Sequence, residues 1–209
     1  MRDLGVVMVV SGPSGSGKST ICGHILEDNK EDFGLVVSHT SRAPREGEID
    51  GVHYHFISPE KFLENKSNGL YLEWAEVHGN YYGTPGDQVE KFVDMQKNVI
   101  LEIDVQGGLQ VKAKLPKSVL IFVSPPSYET LESRLRGRKT DDEEVIKKRL
   151  ENAVGEMHKS SQYDYFVVND ELQKAIDSII LIGESERKRV PRLNLNEIFD
   201  SMRFPKFQK

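Results

Sequence analysis

The sequence predicts an α/β fold: a doubly wound parallel sheet core with a small inserted β-rich subdomain and a helical flap. Three observations point that way. The apolar run at residues 6–10 is continuous and β-branched rather than alternating, which suits a strand buried on both faces of a parallel sheet. Runs at 99–103, 119–123 and 165–168 share that texture, and each is preceded or followed by a helical pattern, so the core reads as a set of βαβ units. Directly after the first run comes Gly12-Pro13-Ser14-Gly15-Ser16-Gly17-Lys18-Ser19, a full match to G-x-x-x-x-G-K-[ST] in the strand, loop and helix context that a P-loop requires.

The chemistry of that loop follows from its residue types. Glycines at 12, 15 and 17 let the backbone form a concave nest of inward N–H groups. The helical pattern of Thr20, Ile21, Cys22, Ile25 and Leu26 adds the positive end of a dipole. Phosphates suit such a nest. Lys18 supplies a point charge to the outer phosphates, and the Ser19 hydroxyl is placed to ligate a magnesium ion bridging them. The chain is therefore expected to bind a nucleoside triphosphate.

Length and composition set the outer limits. A chain of 209 residues accommodates one sizeable core with an insertion, not two full domains. Its net charge of -5 gives no bulk attraction for nucleic acid. No apolar stretch has the length of a signal core or a membrane span, so the expectation is a soluble, cytoplasmic protein without a membrane partner. The single cysteine, Cys22, leaves no disulfide framework and reads as a small buried hydrophobe. His53 and His55 share one face by alternation but lack an H-E-x-x-H pattern or a cysteine partner, and zinc is not expected.

In chain order, residues 33–82 change texture to short alternating stretches with several turns and no long helix. Val52, Tyr54 and Phe56 alternate with His53, His55 and Ile57, predicting a half-buried strand after an Asp50-Gly51 turn. Helical periodicity returns at 87–97, with Val89, Phe92, Val93 and Gln96 along one side. Ser124-Pro125-Pro126-Ser127 ends a strand and caps a helix reaching about Arg136, where Gly137 is a natural stop. Thr140 and Glu143 have capping-box spacing, so a second helix begins there and runs to about Lys159. Two helices on a short glycine-containing link predict a hinged flap. A last helix follows Asn169-Asp170, either of which could cap it, and carries Leu172, Ala175, Ile176, Ile179 and Ile180 on one side. The basic run at 187–192 and the residues beyond read as a loosely held, solvated tail.

A second constellation suggests an acceptor site. Arg42 and Arg45 lie three apart around Pro44, whose ring fixes the local backbone, so two guanidinium forks can converge on one anion such as a phosphate monoester. Downstream, Glu73, Tyr81, Tyr82 and Thr84 add a carboxylate, two phenols and a hydroxyl.

Together these motifs resemble the guanylate kinase family. The resemblance rests on the glycine loop, S-x-T-S-R-x-P-R-x-G-E from Ser38, E-W-A from Glu73, G-N-Y-Y-G-T from Gly79 and L-E-I-D-V-Q-G from Leu101, and it spans about residues 5–185. It implies transfer of the γ-phosphoryl group of ATP to GMP with magnesium as the metal. ATP is then expected on Gly12, Pro13, Ser14, Gly15, Ser16, Gly17, Lys18, Ser19 and Thr20. Arg42, Arg45, Tyr54 and Tyr82 would hold the GMP phosphate, while Ser38, Glu73, Thr84 and Asp104 would read the base. Guanine offers donors at N1 and N2, which a carboxylate at 73 can accept; adenine presents the wrong pattern.

Phosphoryl transfer needs two aligned, neutralised anions and the exclusion of water, so no catalytic base is sought. Lys18 with magnesium would neutralise the donor and Arg42 and Arg45 the acceptor. Arg134, Arg138 and Arg149, spaced as in the family's lid, would neutralise the transferring group. The implied organisation is a core at about 1–37, 86–133 and 160–186, an acceptor-binding insertion at about 38–85, a lid at about 134–159 and a tail from about 187. Two roles stay open for Asp104, the base or the metal through water, and for Asn169 and Asp170, which the resemblance puts near the adenine and which a helix cap explains equally well. Glu102 stands where many relatives carry aspartate, a one-methylene change that could shift a base contact or a metal contact. A non-catalytic peptide-binding scaffold and a kinase of another acceptor are the competing readings. The intact loop argues against the first and the Ser38 and Glu73 set against the second. Use of dGMP and homo-oligomer formation are left open.

Overall fold

The computed structural model describes residues 5–77, 79–137 and 142–203. Strand β1 (Val7–Ser11) runs into the glycine loop, and helix α1 (Lys18–Asp28) leaves it with Ile21, Cys22 and Ile25 buried on one face. After β2 (Phe33–Leu35) the insertion contributes β3 (His39–Thr40), β4 (His55–Phe56), α2 (Pro59–Ser67), β5 (Tyr71–Val77) and β6 (Asn80–Pro85). The chain re-enters the core through α3 (Gly86–Asp94), β7 (Asn98–Glu102), α4 (Val105–Lys114) and β8 (Val119–Ser124). Helices α5 (Tyr128–Arg136) and α6 (Glu143–Lys159) precede β9 (Tyr165–Val168), α7 (Leu172–Arg187) and a short α8 (Leu195–Ser201).

Five strands pair in the order β2-β7-β1-β8-β9, all parallel, and the remaining four form a mixed sheet in the order β4-β3-β6-β5. Burial on both faces explains the unbroken apolar runs. Met8 and Val10 face Ile21, Ile25, Ile176 and Ile179 of α1 and α7. Val9, between them, faces the other way with its register partners Leu101 and Leu120, against Val89 of α3 and Val111 of α4. Each such side chain contributes about 1.5–3 kcal/mol on burial, so the central strands anchor the fold. The small sheet has its own aromatic core: Phe62 of α2 is fully buried and stacks on Tyr71 at 4.5 Å and Tyr81 at 5.2 Å.

Several expectations need correcting. Residues 33–35 belong to the parallel sheet as its edge strand, because pairing with β7 satisfies their backbone, and the stretch up to 82 contains the nine-residue helix α2, capped by Ser58. The strand expected at 52–57 shrinks to two residues. Asp50 accepts the Phe56 N–H and His53 Nδ1 accepts the Ile49 N–H, so side chains close a loop there, Val52 is exposed, and only His55 of the two histidines lies on a strand. Gly137 follows α5 with φ −63, so it ends the helix without the left-handed turn that glycine usually supplies. Thr140 lies outside the described residues, and α6 is capped by Asp142, which accepts the Val145 N–H. Helix α7 starts from Glu171 without a side-chain cap, so neither Asn169 nor Asp170 caps it.

The start of the tail is tied down at two side chains, although Lys188, Arg189, Val190 and Pro191 are exposed. Arg187 donates to Asn98 Oδ1 and the Gln96 carbonyl, at the amino end of β7. Glu186, only 1% exposed, accepts from the Tyr165 hydroxyl, Arg189 and Arg192, while Arg192 also reaches the Lys117 carbonyl before β8. Two basic side chains, Arg187 and Arg192, thus tie residues 187–192 to the strand ends opposite the glycine loop, and Arg189 adds a contact to Glu186. Burial pushes the Glu186 carboxyl up, but the Tyr165 hydroxyl and the two guanidinium groups outweigh it and leave the group below the usual carboxylate range. Its contribution is therefore present above about pH 4.3 and lost as the pH falls through that lowered value. Glu186→Ala should lower the unfolding free energy by about 3 kcal/mol at pH 7, because it leaves Arg192 and the Tyr165 hydroxyl without their acceptor. Urea unfolding checks this; a loss under about 0.5 kcal/mol, the size of a surface substitution, would contradict it.

Candidate active site

The glycine loop and part of the acceptor constellation open onto one cleft of about 430 Å³, lined on one side by Gly12, Gly15, Lys18 and Ser19 and on the other by Ser38, Tyr54, Glu73 and Tyr82; Arg42 and Arg45 are not in its lining. It lies at the carboxyl ends of β1 and β7, where the strand order reverses direction around β1.

The loop's shape depends on residues with no side chain. Gly12 has φ 147, and a Cβ there would stand 2.1 Å from the Val123 carbonyl of β8. Gly17 has φ 93, and a Cβ there would stand 2.3 Å from Asn169 Nδ2. That contact explains Asn169: its amide donates to the Ser16 carbonyl at 2.8 Å, so the residue braces the loop. Lys18 curls back to the carbonyls of Gly12 at 2.6 Å and Pro13 at 3.0 Å, which holds its charge at the mouth of the nest. Ser16 Oγ is buried without a hydrogen-bond partner among the described residues, a donor turned into the loop.

Ser19 gives its hydroxyl proton to Glu102 Oε1 at 2.5 Å, leaving the oxygen's lone pairs to the cleft. A hydroxyl and a carboxylate side by side beneath a phosphate-binding loop are hard oxygen donors of the kind magnesium takes, so the residues present fit that ion. Glu102, which the sequence left between a base contact and a metal contact, stands beside Ser19. Asp104 projects at the cleft's edge, and its Oδ1 accepts the Gly107 N–H at 2.7 Å as the cap of α4.

On the acceptor side Glu73 is 5% exposed. Its Oε1 accepts the Thr84 hydroxyl at 2.6 Å, and Thr84 Oγ1 stands 3.5 Å from Ser38 Oγ. Thr84 is itself buried and absent from the cleft lining, so it acts as a support for Glu73. Gly107 makes room on α4: a Cβ there would lie 2.9 Å from Glu73 Oε2. Burial drives the Glu73 carboxyl up to about 7, with the nearby Asp104 charge adding and the Thr84 hydroxyl opposing. Burial likewise raises the Tyr54 phenol.

Arg42 is fixed by its neighbours. Its Nε donates to the Tyr82 hydroxyl at 3.2 Å, Nη1 and Nη2 each donate to Glu48 at 2.9 Å, and the Tyr54 ring lies 5.7 Å from the guanidinium carbon. Arg45 is exposed on the same loop, and its backbone N–H donates to Glu48.

The expected lid arginines separate. Arg138 lies outside the described residues. Arg134 donates to the carbonyls of Ser16 and Asn169, on the loop's outer side, while Leu131 and Leu135 of α5 pack where a Cβ of Gly15 would touch them. Helix α5 is therefore docked on the loop. Arg149 sits on α6, two turns before Glu156, which lines the cleft. Burial holds the Glu156 carboxyl above its usual range and the Lys18 charge partly offsets this. Sequence reading did not single out Glu156; its spacing of seven from Arg149 is the signal that placed it on the same helix face.

A sequence model of the guanylate kinase family matches residues 5–184. The chain is 48% identical to a guanylate kinase of Clostridium perfringens over 195 residues, covering 93% of this chain and 90% of that one. It is 49% identical to that of Fusobacterium nucleatum over 182 residues, covering 87% and 97%. Among solved structures, guanylate kinase from Anaplasma phagocytophilum superposes with a TM-score of 0.79 at 34% identity, over 99% of each chain.

The buried carboxylate generates a direct test. The Glu73 carboxyl carbon should titrate near pH 7 by NMR, and Thr84→Val should raise that midpoint, because the lost hydroxyl favours the ionised form. With a raised midpoint, its linkage favours the folded chain below about pH 4.3 and fades as the pH climbs through about 7. A midpoint below 5 would contradict this account.

Proposed function

The chain belongs to the guanylate kinase family, and on that premise we propose how its own residues carry out the family's reaction, the ATP-dependent phosphorylation of GMP. The chain is a phosphotransferase: the γ-phosphoryl group of ATP passes to GMP, giving ADP and GDP. The observation that carries the residue assignments is the single cleft, in which a phosphate-binding loop faces a buried carboxylate.

On the donor side the inward N–H groups of the loop would cradle the triphosphate of ATP, and Lys18 would exchange the Gly12 and Pro13 carbonyls for the outer phosphates. Ser19 and Glu102 would hold magnesium, directly or through water. The ion would supply positive charge against the terminal phosphates. Asn169 and Arg134 keep the loop's curvature from behind, which ties Arg134 to the loop more closely than to the transferring group.

On the acceptor side Glu73 would accept from the N1 and N2 donors of guanine while Ser38 meets its remaining polar groups. Thr84 fixes the carboxylate, and Asp104 completes the polar edge. Arg42, Arg45, Tyr54 and Tyr82 would take the GMP phosphate. The base must thus enter a pocket whose polar groups are already oriented, so a mispaired base leaves them unsatisfied.

Residues 38–85 would form the acceptor subdomain and residues 134–159 the lid. With α5 docked on the loop, α6 is the part placed to swing, carrying Arg149 toward the transferring phosphoryl group and Glu156 along the cleft wall. A cytoplasmic location accords with nucleotide chemistry and with the structure, in which no helix among the described residues is long and apolar enough to cross a membrane.

The deciding experiment offers GMP, dGMP, AMP, UMP, CMP and dTMP separately with MgATP. Turnover should be confined to guanine nucleotides, and Glu73→Gln should cut kcat/KM for GMP by about a hundredfold or more while narrowing the gap to AMP. Equal turnover of several bases would overturn the assignment of Glu73, and a folded chain that binds GMP without turnover would favour the scaffold reading. Closure is tested by fluorescence transfer between labels on α6 and β5: the distance should shorten with both nucleotides bound, and an unchanged distance would refute it.

A further inference from the structure

Glu48 takes no part in the assignments above, yet it makes the closest set of contacts in the acceptor loop. We infer that Glu48 is the positioning residue for Arg42: it grips one edge of the guanidinium and thereby presents the other edge, with the Tyr82 hydroxyl, to the acceptor's phosphate. The inference deepens the proposed acceptor site and rests on the reading that Arg42 meets that phosphate.

The donors can be counted. A guanidinium carries five N–H groups in a rigid planar fork, with one bidentate edge at Nη1/Nη2 and another at Nε/Nη2. Glu48 Oε2 takes one proton of Nη1 and Oε1 one of Nη2, both at 2.9 Å, so it fills the first edge. The Ala43 carbonyl takes the second proton of Nη1 at 2.7 Å, and the Tyr82 oxygen takes that of Nε at 3.2 Å. One Nη2 proton is left, and it lies on the Nε/Nη2 edge, beside Tyr82. Since Tyr82 accepts from Arg42, its own hydroxyl proton is available to another oxygen. An anion arriving there meets an N–H and an O–H from the same side.

The direction of that edge decides between two roles for Glu48. A carboxylate could be a stand-in that occupies the phosphate's place and must leave. Tyr82, on the Nε/Nη2 side of the guanidinium, and Tyr54 line the cleft, whereas Arg42 itself, Glu48 and Ala43 do not. Glu48 Oε2 also accepts the Arg45 backbone N–H at 2.7 Å, which fastens it to the loop's own backbone. The carboxylate therefore holds the guanidinium edge that is not shared with Tyr82 and the cleft wall. Its charge persists at any working pH, since the two bonds from Arg42 draw its carboxyl down to about 2. The rings of Tyr54 and Phe56, at 5.7 and 5.8 Å from the guanidinium carbon, limit tilting of the plane.

The test compares GMP with guanosine, which lacks the phosphate, by calorimetry on Glu48→Ala, Arg42→Ala and the double variant. Glu48→Ala should weaken GMP binding about 10- to 100-fold while guanosine binding stays unchanged, and the double variant should bind GMP no more weakly than Arg42→Ala alone. Tighter GMP binding by Glu48→Ala would make the carboxylate a competitor and overturn the inference. Equal weakening of GMP and guanosine by Glu48→Ala would overturn it in favour of a general structural role, as would independent, multiplying losses in the double variant. If Arg42→Ala itself weakens both ligands equally, the phosphate reading of Arg42 falls and this inference with it, a pattern distinct from the others. Should Glu48→Ala not fold, Glu48→Gln keeps the side-chain shape, loses the paired acceptance, and is read by the same criteria.

Discussion

The backbone between Ser11 and Lys18 has to turn in left-handed conformations where neighbouring chain leaves no space for a side chain, and the remainder of the structure is arranged around that requirement. Gly12 presses on the Val123 carbonyl and Gly17 on Asn169, so β8 and the residue after β9 set the curvature of the loop from outside. The parallel order of the sheet brings those strand ends to the same level as the end of β1. Helix α5 then covers the loop with Leu131 and Leu135, and Arg134 closes the gap to Asn169. A phosphate-binding nest is thus a property of five chain segments, although a single octapeptide carries its signature.

Most of the fold was legible because its signals are local and periodic. The runs at 6–10, 99–103 and 119–123 each fall within a residue of their strands, and 165–168 matches β9. What escaped notice was decided elsewhere. Helix α4 begins at a residue pair followed by Gly107 and Gly108, poor helix formers whose presence makes sense only once Glu73 and Tyr163 are found against them. The strand expected at 52–57 has the right alternation, yet the Val52 and His53 N–H groups turn back to the Ile49 carbonyl and that of Phe56 goes to Asp50, so only His55 and Ile57 donate to the β3 segment. Arg187 and Arg192 read as solvated charge because their acceptors, Asn98 and the Lys117 carbonyl, are remote in sequence.

The site divides in the same manner. Loop residues were identifiable because each position in the motif has a separate chemical duty. Arg42 stood out by its spacing from Arg45 around Pro44, while the base-reading roles of Glu73 and Thr84 came only through family resemblance; the bonds from Thr84 to Glu73, from Arg42 to Glu48 and from Ser19 to Glu102 show no sign until distances exist. Asn169 illustrates the limit. Its place before a helix suggested a cap, whereas its amide spans 153 positions of sequence to hold the Ser16 carbonyl. A side chain's local preference carries no trace of a partner that distant.

Glu73 has one further consequence. A carboxyl that titrates near 7 is about half protonated in a neutral solution, while the guanine edge requires both of its oxygens as acceptors. On the proposed assignment, GMP binding near neutral pH would displace protons from Glu73 into the medium. The heat of binding would then carry the ionisation enthalpy of whichever buffer takes up those protons, and acidification of the medium would oppose GMP at this site.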